Sequence, residues 1–188
     1  MALKKGTEIP TIDCNLVTIT TLLDAQEIAI DTATKIAIAP EIDSEDAVKL
    51  IIKGVLKAQK PATDTLTGNT ITLTDNVFTP EIAQILQGGT ITYDAVEPEK
   101  ITGYTPPVTG SAVRGEVFTL AAYTAQYNTA GEIVQYERIE YPNCKGVPVA
   151  ISIEDGTFRV SEYTIKSTPA TDEPPYDITY IAALPTVV

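Results

Sequence analysis

The stretch GNTITLTDNVFTPEIAQILQGGTITYD, residues 68–94, decides the fold class of this chain. Thr70, Thr72 and Thr74 alternate with Ile71 and Leu73 at the period of a strand with one wetted face, and Ile91 and Tyr93 resume that period after the glycines. Between the two runs the residues spell a short helix. Thr79 stands where a side-chain oxygen can accept from the free N–H groups of the first turn. Pro80 loses nothing at the first helical position, and Glu81 suits the positive end of the helix dipole. Ile82, Ile85 and Leu86 make one apolar stripe, and Gly88 or Gly89 can take the left-handed conformation that stops a helix. The expectation is a single short helix held against a β-sheet.

Working outward, strand patterns dominate. EIAIDTATKIAIAP, residues 27–40, reads as a hairpin in which Ile28 and Ile30 pair in parity, as do Ile36 and Ile38, and residues 31–35 turn between them. The segment DAVKLIIKGVLKAQ, residues 46–59, fits two patterns. As a helix it would carry Lys49, Lys53, Lys57 and Lys60 along one side; as a strand it would point Val48, Leu50, Ile52 and Leu56 inward and Lys49, Lys53 and Lys57 outward. Gly54 weakens the helix and Val48, Ile51, Ile52 and Val55 are branched at Cβ, so a strand is expected. The lysine row is then either a solvated face or a patch that meets acids on a neighbouring copy. EPEKITGYTPPVTGSA, residues 97–112, reads as a long proline-rich loop whose Tyr104, Pro106, Pro107 and Val108 are apolar enough for a contact surface. GEVFTLAAYTAQYN and EIVQYERIEYPN form a long hairpin about the turn at residues 128–131. Val147, Val149, Ile151 and Ile153 alternate into a tight Asp155-Gly156 turn, and Phe158, Val160 and Ile165 return. YDITYIAAL is the last strand, stopped by Pro185. About nine strands with one helix indicate an antiparallel sandwich or barrel.

Composition narrows the function. At 188 residues and 20.1 kDa the chain is expected to be one domain, and 44% hydrophobic with 20% charged residues is ordinary globular usage. No apolar run is long enough to span a bilayer, and MALKKGTEIP lacks the apolar core of a secretory signal, so the expectation is no membrane partner and retention in the cytoplasm until assembly. Cys14 and Cys144 are expected to be idle thiols. With 0 histidines there is no Ser-His-Asp or Cys-His nucleophile and no imidazole metal site. Phosphate-cradling glycine loops, nucleophile elbows and calcium loops are missing as well. Paired carboxylates stay formally open among 25 Asp and Glu, but scattered surface acids explain these more simply. No enzyme, cofactor or metal is expected. A net charge of −12 argues against sequence-independent binding of nucleic acid, which needs cations to displace phosphate counterions.

The phrases DNVFTPEIAQILQGG, YPNCKG, CKGVPVAISIEDGTF and EYTIKSTP, closed by a terminal LP, occur in an order that resembles the tail tube (major tail) proteins of tailed bacteriophages and of phage-tail-like bacteriocins. The likeness runs from about Glu27 to Pro185 and rests on the phrases together, none being specific alone. It implies a mainly β fold, an antiparallel β-sandwich or partial barrel flanked by one short helix. It further implies an N-terminal arm over 1–26, a single domain over 27–188 and a long loop at 97–113 that, with the arm, reaches adjacent rings. Copies would close into hexameric rings stacked as a hollow tube in a virion tail or bacteriocin particle, assembled in a bacterial cytoplasm. Sheath, tape-measure, baseplate and tail-terminator proteins would be partners, and DNA would be met only in transit.

On that reading Lys49, Lys53, Lys57, Tyr104, Pro106, Pro107 and Val108 are candidates for contacts between subunits. Glu116, Glu132, Glu137 and Glu140 are candidates for an acidic lumen, because they lie on the hairpin best placed to line a channel; the alternative is that they are ordinary outward charges. Glu137 and Glu140 differ in parity, so a regular strand cannot turn both to the bore. The rival reading from another class is a monomeric β-sandwich binding module for a receptor or a carbohydrate, the latter weakened by the absence of tryptophan.

Overall fold

The computed structural model describes residues 6, 8–112 and 115–187. Among them are twelve strands and one helix: β1 (Thr11–Thr21), β2 (Glu27–Ile30), β3 (Ala33–Glu45), β4 (Val48–Ile52), β5 (Val55–Lys60), β6 (Thr63–Asp75), α1 (Pro80–Gln87), β7 (Thr90–Tyr93), β8 (Ile101–Thr105), β9 (Phe118–Tyr127), β10 (Ile133–Gly146), β11 (Ser161–Ser167) and β12 (Asp177–Ile181). The fold is mainly β and antiparallel, as the threonine-rich alternation requires. Eight strands share one sheet in the order β2-β1-β9-β10-β11-β6-β3, with β12 beside β10; β4-β5 and β7-β8 are separate pairs.

Two features curl that sheet around a core. Its end strands β2 and β3 are consecutive in the chain and separated only by Asp31 and Thr32, so Ile30 and Ala33 lie within about 11 Å of each other. The margins meet at this corner and the sheet is a partial barrel, open elsewhere. The second feature is a bend in β10. Its pairing with β9 slips between Tyr141 and Cys144, and Asn143 takes a φ of 50°. Before the bend β10 pairs with β12, after it with β11. Val17, Ile19, Ile71, Leu73, Phe118, Leu120, Tyr163 and Ile165 fill the space enclosed.

Several expectations are corrected here. Residues 27–40 do not form a hairpin: β2 pairs with β1, Ile30 opposite Val17, and β3 pairs with β6, Ile36 opposite Leu73. Alternation shows that strands exist but not which strands bond, and β1 and β6 offer buried apolar partners on either side of the core. Thr11–Thr21, placed in an arm by the resemblance, is an inner strand with Val17 and Ile19 fully buried, so residue 26 is not a boundary in the fold. Residues 1–5 and 7 lie outside the described residues. The loop at 97–113 contains β8, which pairs with β7; Val113 lies outside the described residues. Residues 46–59 are not one strand but the hairpin β4-β5, closed by Lys53 and Gly54 at φ 49° and 78°.

The helix forms where expected and is held differently. Thr79 is extended at the N-cap and makes no side-chain cap bond; its carbonyl accepts from the Ala83 N–H, and its own N–H donates to the Tyr163 hydroxyl. Gly88 ends the helix at φ 79°, its N–H donating to the Gln84 carbonyl at 2.7 Å. Tertiary packing does the rest. Ile82, Ala83, Ile85 and Leu86 are buried, and Leu86 presses on two glycines: a Cβ on Gly146 would sit 2.4 Å from the Leu86 Cα, and one on Gly115 would sit 2.2 Å from its carbonyl oxygen. The phrase YPNCKG thus has a structural reading in full, from buried Tyr141 through the bend at Asn143 and buried Cys144 to the glycine against the helix.

Cys14 and Cys144 are both free. Burial pushes the Cys144 thiol up to about 12 and raises that of half-buried Cys14. A maleimide at neutral pH is expected to modify Cys14 in the folded protein and both thiols in denaturant, counted by mass spectrometry. Gly146→Ala is expected to lower stability by about 1–3 kcal/mol through overpacking, read as a fall in Tm. Gly103→Ala, whose new Cβ would meet nothing closer than 4.0 Å, should change stability by less than about 0.5 kcal/mol.

Candidate assembly surfaces

Beyond the core, β3 and β6 run on together as a two-stranded stalk, Ile42 to Glu45 pairing with Leu66 to Thr63. The stalk continues into β4-β5, forming a finger. Burial ends at Gly68: every residue from 48 to 67 is exposed. Val48, Leu50, Ile52 and Leu56, expected inward, are 65%, 53%, 47% and 51% exposed, because a two-stranded ribbon has no layer behind it to cover either face. Lys49, Lys53 and Lys57 lie on this finger among Ile51, Val55 and the other aliphatics. Among the described residues none of these three lysines forms an ion pair; Lys60 pairs with Glu45 at 2.9 Å.

The root of the finger is clamped. β6 passes so close to β11 at Gly68 that a Cβ there would meet the Ser167 carbonyl oxygen at 2.4 Å, and the β3-β6 register slips beside it. Glu41 sits across from Gly68. Its carboxylate accepts from the Thr70 hydroxyl at 2.6 Å and from the Lys166 ammonium at 3.2 Å, and its carbonyl accepts from the Thr67 hydroxyl. The Thr70 bond first, then Lys166, holds the Glu41 carboxyl below its ordinary value.

A second exposed element is a strap, residues 147–160. It carries the expected strand alternation and a turn with Gly156 at φ 77°, yet no hairpin forms. The Val147 N–H donates to the Thr164 carbonyl, Ala150 bridges Glu162, and among the described residues no backbone bond links 151–153 to 158–160. Ile151, Ile153 and Phe158 are 62%, 81% and 96% exposed. One amide ties this strap and the 97–113 loop to the helix: Gln87 Nε2 donates to the Tyr104 hydroxyl at 2.8 Å, and Gln87 Oε1 accepts from the Val149 N–H at 2.8 Å. Tyr104 is half-buried and donates to the Gly88 carbonyl, whereas Pro106 and Val108 are exposed and Pro107 is intermediate.

The four acids do not share a face. Glu116 lies just before β9 and Glu132 just before β10, at opposite ends of the long hairpin. Glu116 instead shares a depression of about 450 Å³ with Pro107 and Val108. Glu137 lies opposite Tyr180, whose hydroxyl donates to it, and Glu140 pairs with Arg138.

The trough of about 530 Å³ between β1, β2 and the helix N-terminus has Glu27 and Glu81 on walls otherwise built of Leu16, Ile28, Pro185 and neutral neighbours. No cluster of three or more His, Cys, Asp or Glu suited to a metal ion, and no helix long and apolar enough to cross a membrane, occurs among the described residues.

No protein-family model and no curated protein matches the chain. Similar chains occur in solved assemblies. One, from the cryo-EM structure of the anti-feeding prophage baseplate, has a TM-score of 0.38 at 8% identity, covering 96% of this chain and 98% of that chain. Another, from the sheath-tube complex of an extracellular contractile injection system in its extended state, has a TM-score of 0.41 at 12% identity, covering 94% and 93%. A third, from the anti-feeding prophage tube-terminating cap, has a TM-score of 0.36 at 13% identity, covering 97% of each.

The Glu41 clamp predicts a pH dependence with a definite sign. A depressed carboxyl contributes stability that is complete above its ordinary value of 4.5 and is lost as pH falls through its lower folded value. Hydrogen-exchange protection of the amides at residues 66–70 is expected to fall selectively below that pH, and Glu41→Gln is expected to flatten the profile.

Proposed function

We propose that this chain is a structural subunit whose copies close into hexameric rings and stack into a hollow tail-like tube, a conduit through which DNA passes without being bound. One observation carries the reading. A compact monomer of this mass exposes about 8,700 Å², whereas this chain of 20.1 kDa exposes 12,806 Å². The surplus is of the size that a subunit buries against several neighbours. It is also apolar where it matters, on the finger, on the strap and at Val108.

The sheet supports the same reading. Among the described residues no strand pairs with the outer margin of β3, which is open beyond the corner at Ala33, or with that of β12 along Asp177–Ile181. Such margins bond to further strands, and joining them round a ring removes them as barrel closure does. A head-to-tail contact between rings then extends without limit. Six copies at −12 each carry −72 formal charges, so phosphate is repelled and duplex can slide. Lumen acidity belongs to the whole ring, since Glu140 is offset by Arg138 and the four acids are dispersed. The finger and the exposed part of the 97–113 loop are the contacts between copies.

Purified protein is expected to form rings or long hollow rods by negative-stain electron microscopy. A strictly monomeric species at all concentrations overturns the proposal. Deleting residues 46–60 and closing the stalk with a two-residue turn is expected to leave a folded monomer with near-native Tm and no rods, because none of the deleted residues belongs to the core. Rods of unchanged yield would remove the finger from the assembly.

A further inference from the structure

We propose that the strap at residues 147–160 receives the finger of a second copy, which supplies the sheet partner that the strap lacks. This rests on the finger being a contact between copies and names what it contacts.

The strap has the sequence of a strand pair and none of the ladder. Its base is tied to the fold by Val147 on Thr164, by Val149 on Gln87 and by the bridge from Ala150 to Glu162. Its returning limb is pinned by Arg159, whose guanidinium lies 4.1 Å from the centre of the Phe78 ring. Both ends are thus fixed, and the middle is presented at the surface with its apolar side chains bare. An extended segment with alternating Ile151 and Ile153 and free backbone groups is complementary to the margin of another strand pair.

The finger offers such a margin. Among the described residues β4 and β5 bond only to each other, so each has one open side. Val48, Leu50 and Ile52 share one face of β4, at the spacing of Ile151 and Ile153. Charge selects the same pair. Residues 48–60 hold Lys49, Lys53, Lys57 and Lys60 with no acid, in a chain of net charge −12. The strap turn carries Glu154 and Asp155, whose carboxylates have no ion-pair partner among the described residues. Strand pairing would bury the aliphatics of both, and the lysines would fix which acceptor the finger takes.

The test uses the full chain with Cys14→Ser, leaving Cys144 buried. Leu50→Cys and Ile153→Cys are made in separate chains, mixed, assembled and treated with a short bis-maleimide. A cross-linked dimer specific to the mixture is expected. Rods without that dimer overturn the proposal, as do dimers formed by the Leu50→Cys chain alone, which would show finger meeting finger. In a second arm, K49E/K53E/K57E and, separately, E154K/D155K are each expected to raise the concentration needed for rods on the order of tenfold or more. All five changes together should restore it. If the lysine reversals prevent assembly but E154K/D155K leaves it unchanged, the finger remains a contact and the strap is not its acceptor. If neither set matters, both readings fall. Apart from half-buried Cys14, every substituted residue is exposed, and Tm measurements on each variant, against the Cys14→Ser chain, separate lost assembly from lost folding.

Discussion

The seating of one eight-residue helix against two glycines constrains the rest of the molecule. A helix of two turns is unstable alone, and α1 persists because Ile82, Ile85 and Leu86 leave water together, each worth about 1.5–3 kcal/mol when fully buried. That burial needs backbone contact, since Gly115 and Gly146 leave no room for a side chain beside Leu86. The two glycines stand just before β9 and at the end of β10, so the helix pins the open end of the long hairpin, away from its turn. Its last turn then organises the surface. Gln87 bonds both Tyr104 and the strap, so two segments far apart in sequence take their positions from one side chain.

How much of this was legible in the sequence depends on what kind of information each residue carries. The run at residues 68–94 gave a strand, a helix and a strand in their observed places because alternation, an apolar stripe, Pro80 and Gly88 are all local signals. Pairing was not legible. Nothing in Ile28 or Ile36 states that β2 bonds to β1 and β3 to β6, since that choice is made by the core as a whole. The same limit explains Thr79, whose cap geometry gave way to a contact with Tyr163 from a distant strand. The lysine and aliphatic pattern of residues 46–59 showed extended chain but not that both faces stand in solvent. Periodicity marks faces without saying what covers them. A signal for the hairpin was present, since Lys53-Gly54 fits a two-residue turn.

The exposed elements were partly legible for the same reason. Lys49, Lys53 and Lys57 are identifiable as a cationic row in an acidic chain, and they lie on an element that is exposed throughout. The four acids were grouped by their neighbourhood in sequence, and the sheet separates them: a hairpin of this length puts Glu116 and Glu132 at opposite ends, and Arg138 offsets Glu140. The alternation and the turn of the strap, taken alone, predict a finished hairpin. What the residues do not state is that no second layer waits to receive Ile151 and Phe158. A pair of strands without such a layer is marginal in water, whereas β4-β5 is built on an existing stalk.

The lysines of the finger have a consequence for the order of events. A ribbon of bare aliphatics with open margins is the kind of element by which proteins clump into disordered fibres. Here two fingers meeting at their outer parts, residues 48–60, bring together lysines with no acid among them, and these repel before their edges can zip. On the proposed assembly, free copies would thereby be kept apart by the surface that is stickiest, and growth would be directed to ends that already display the opposite charge.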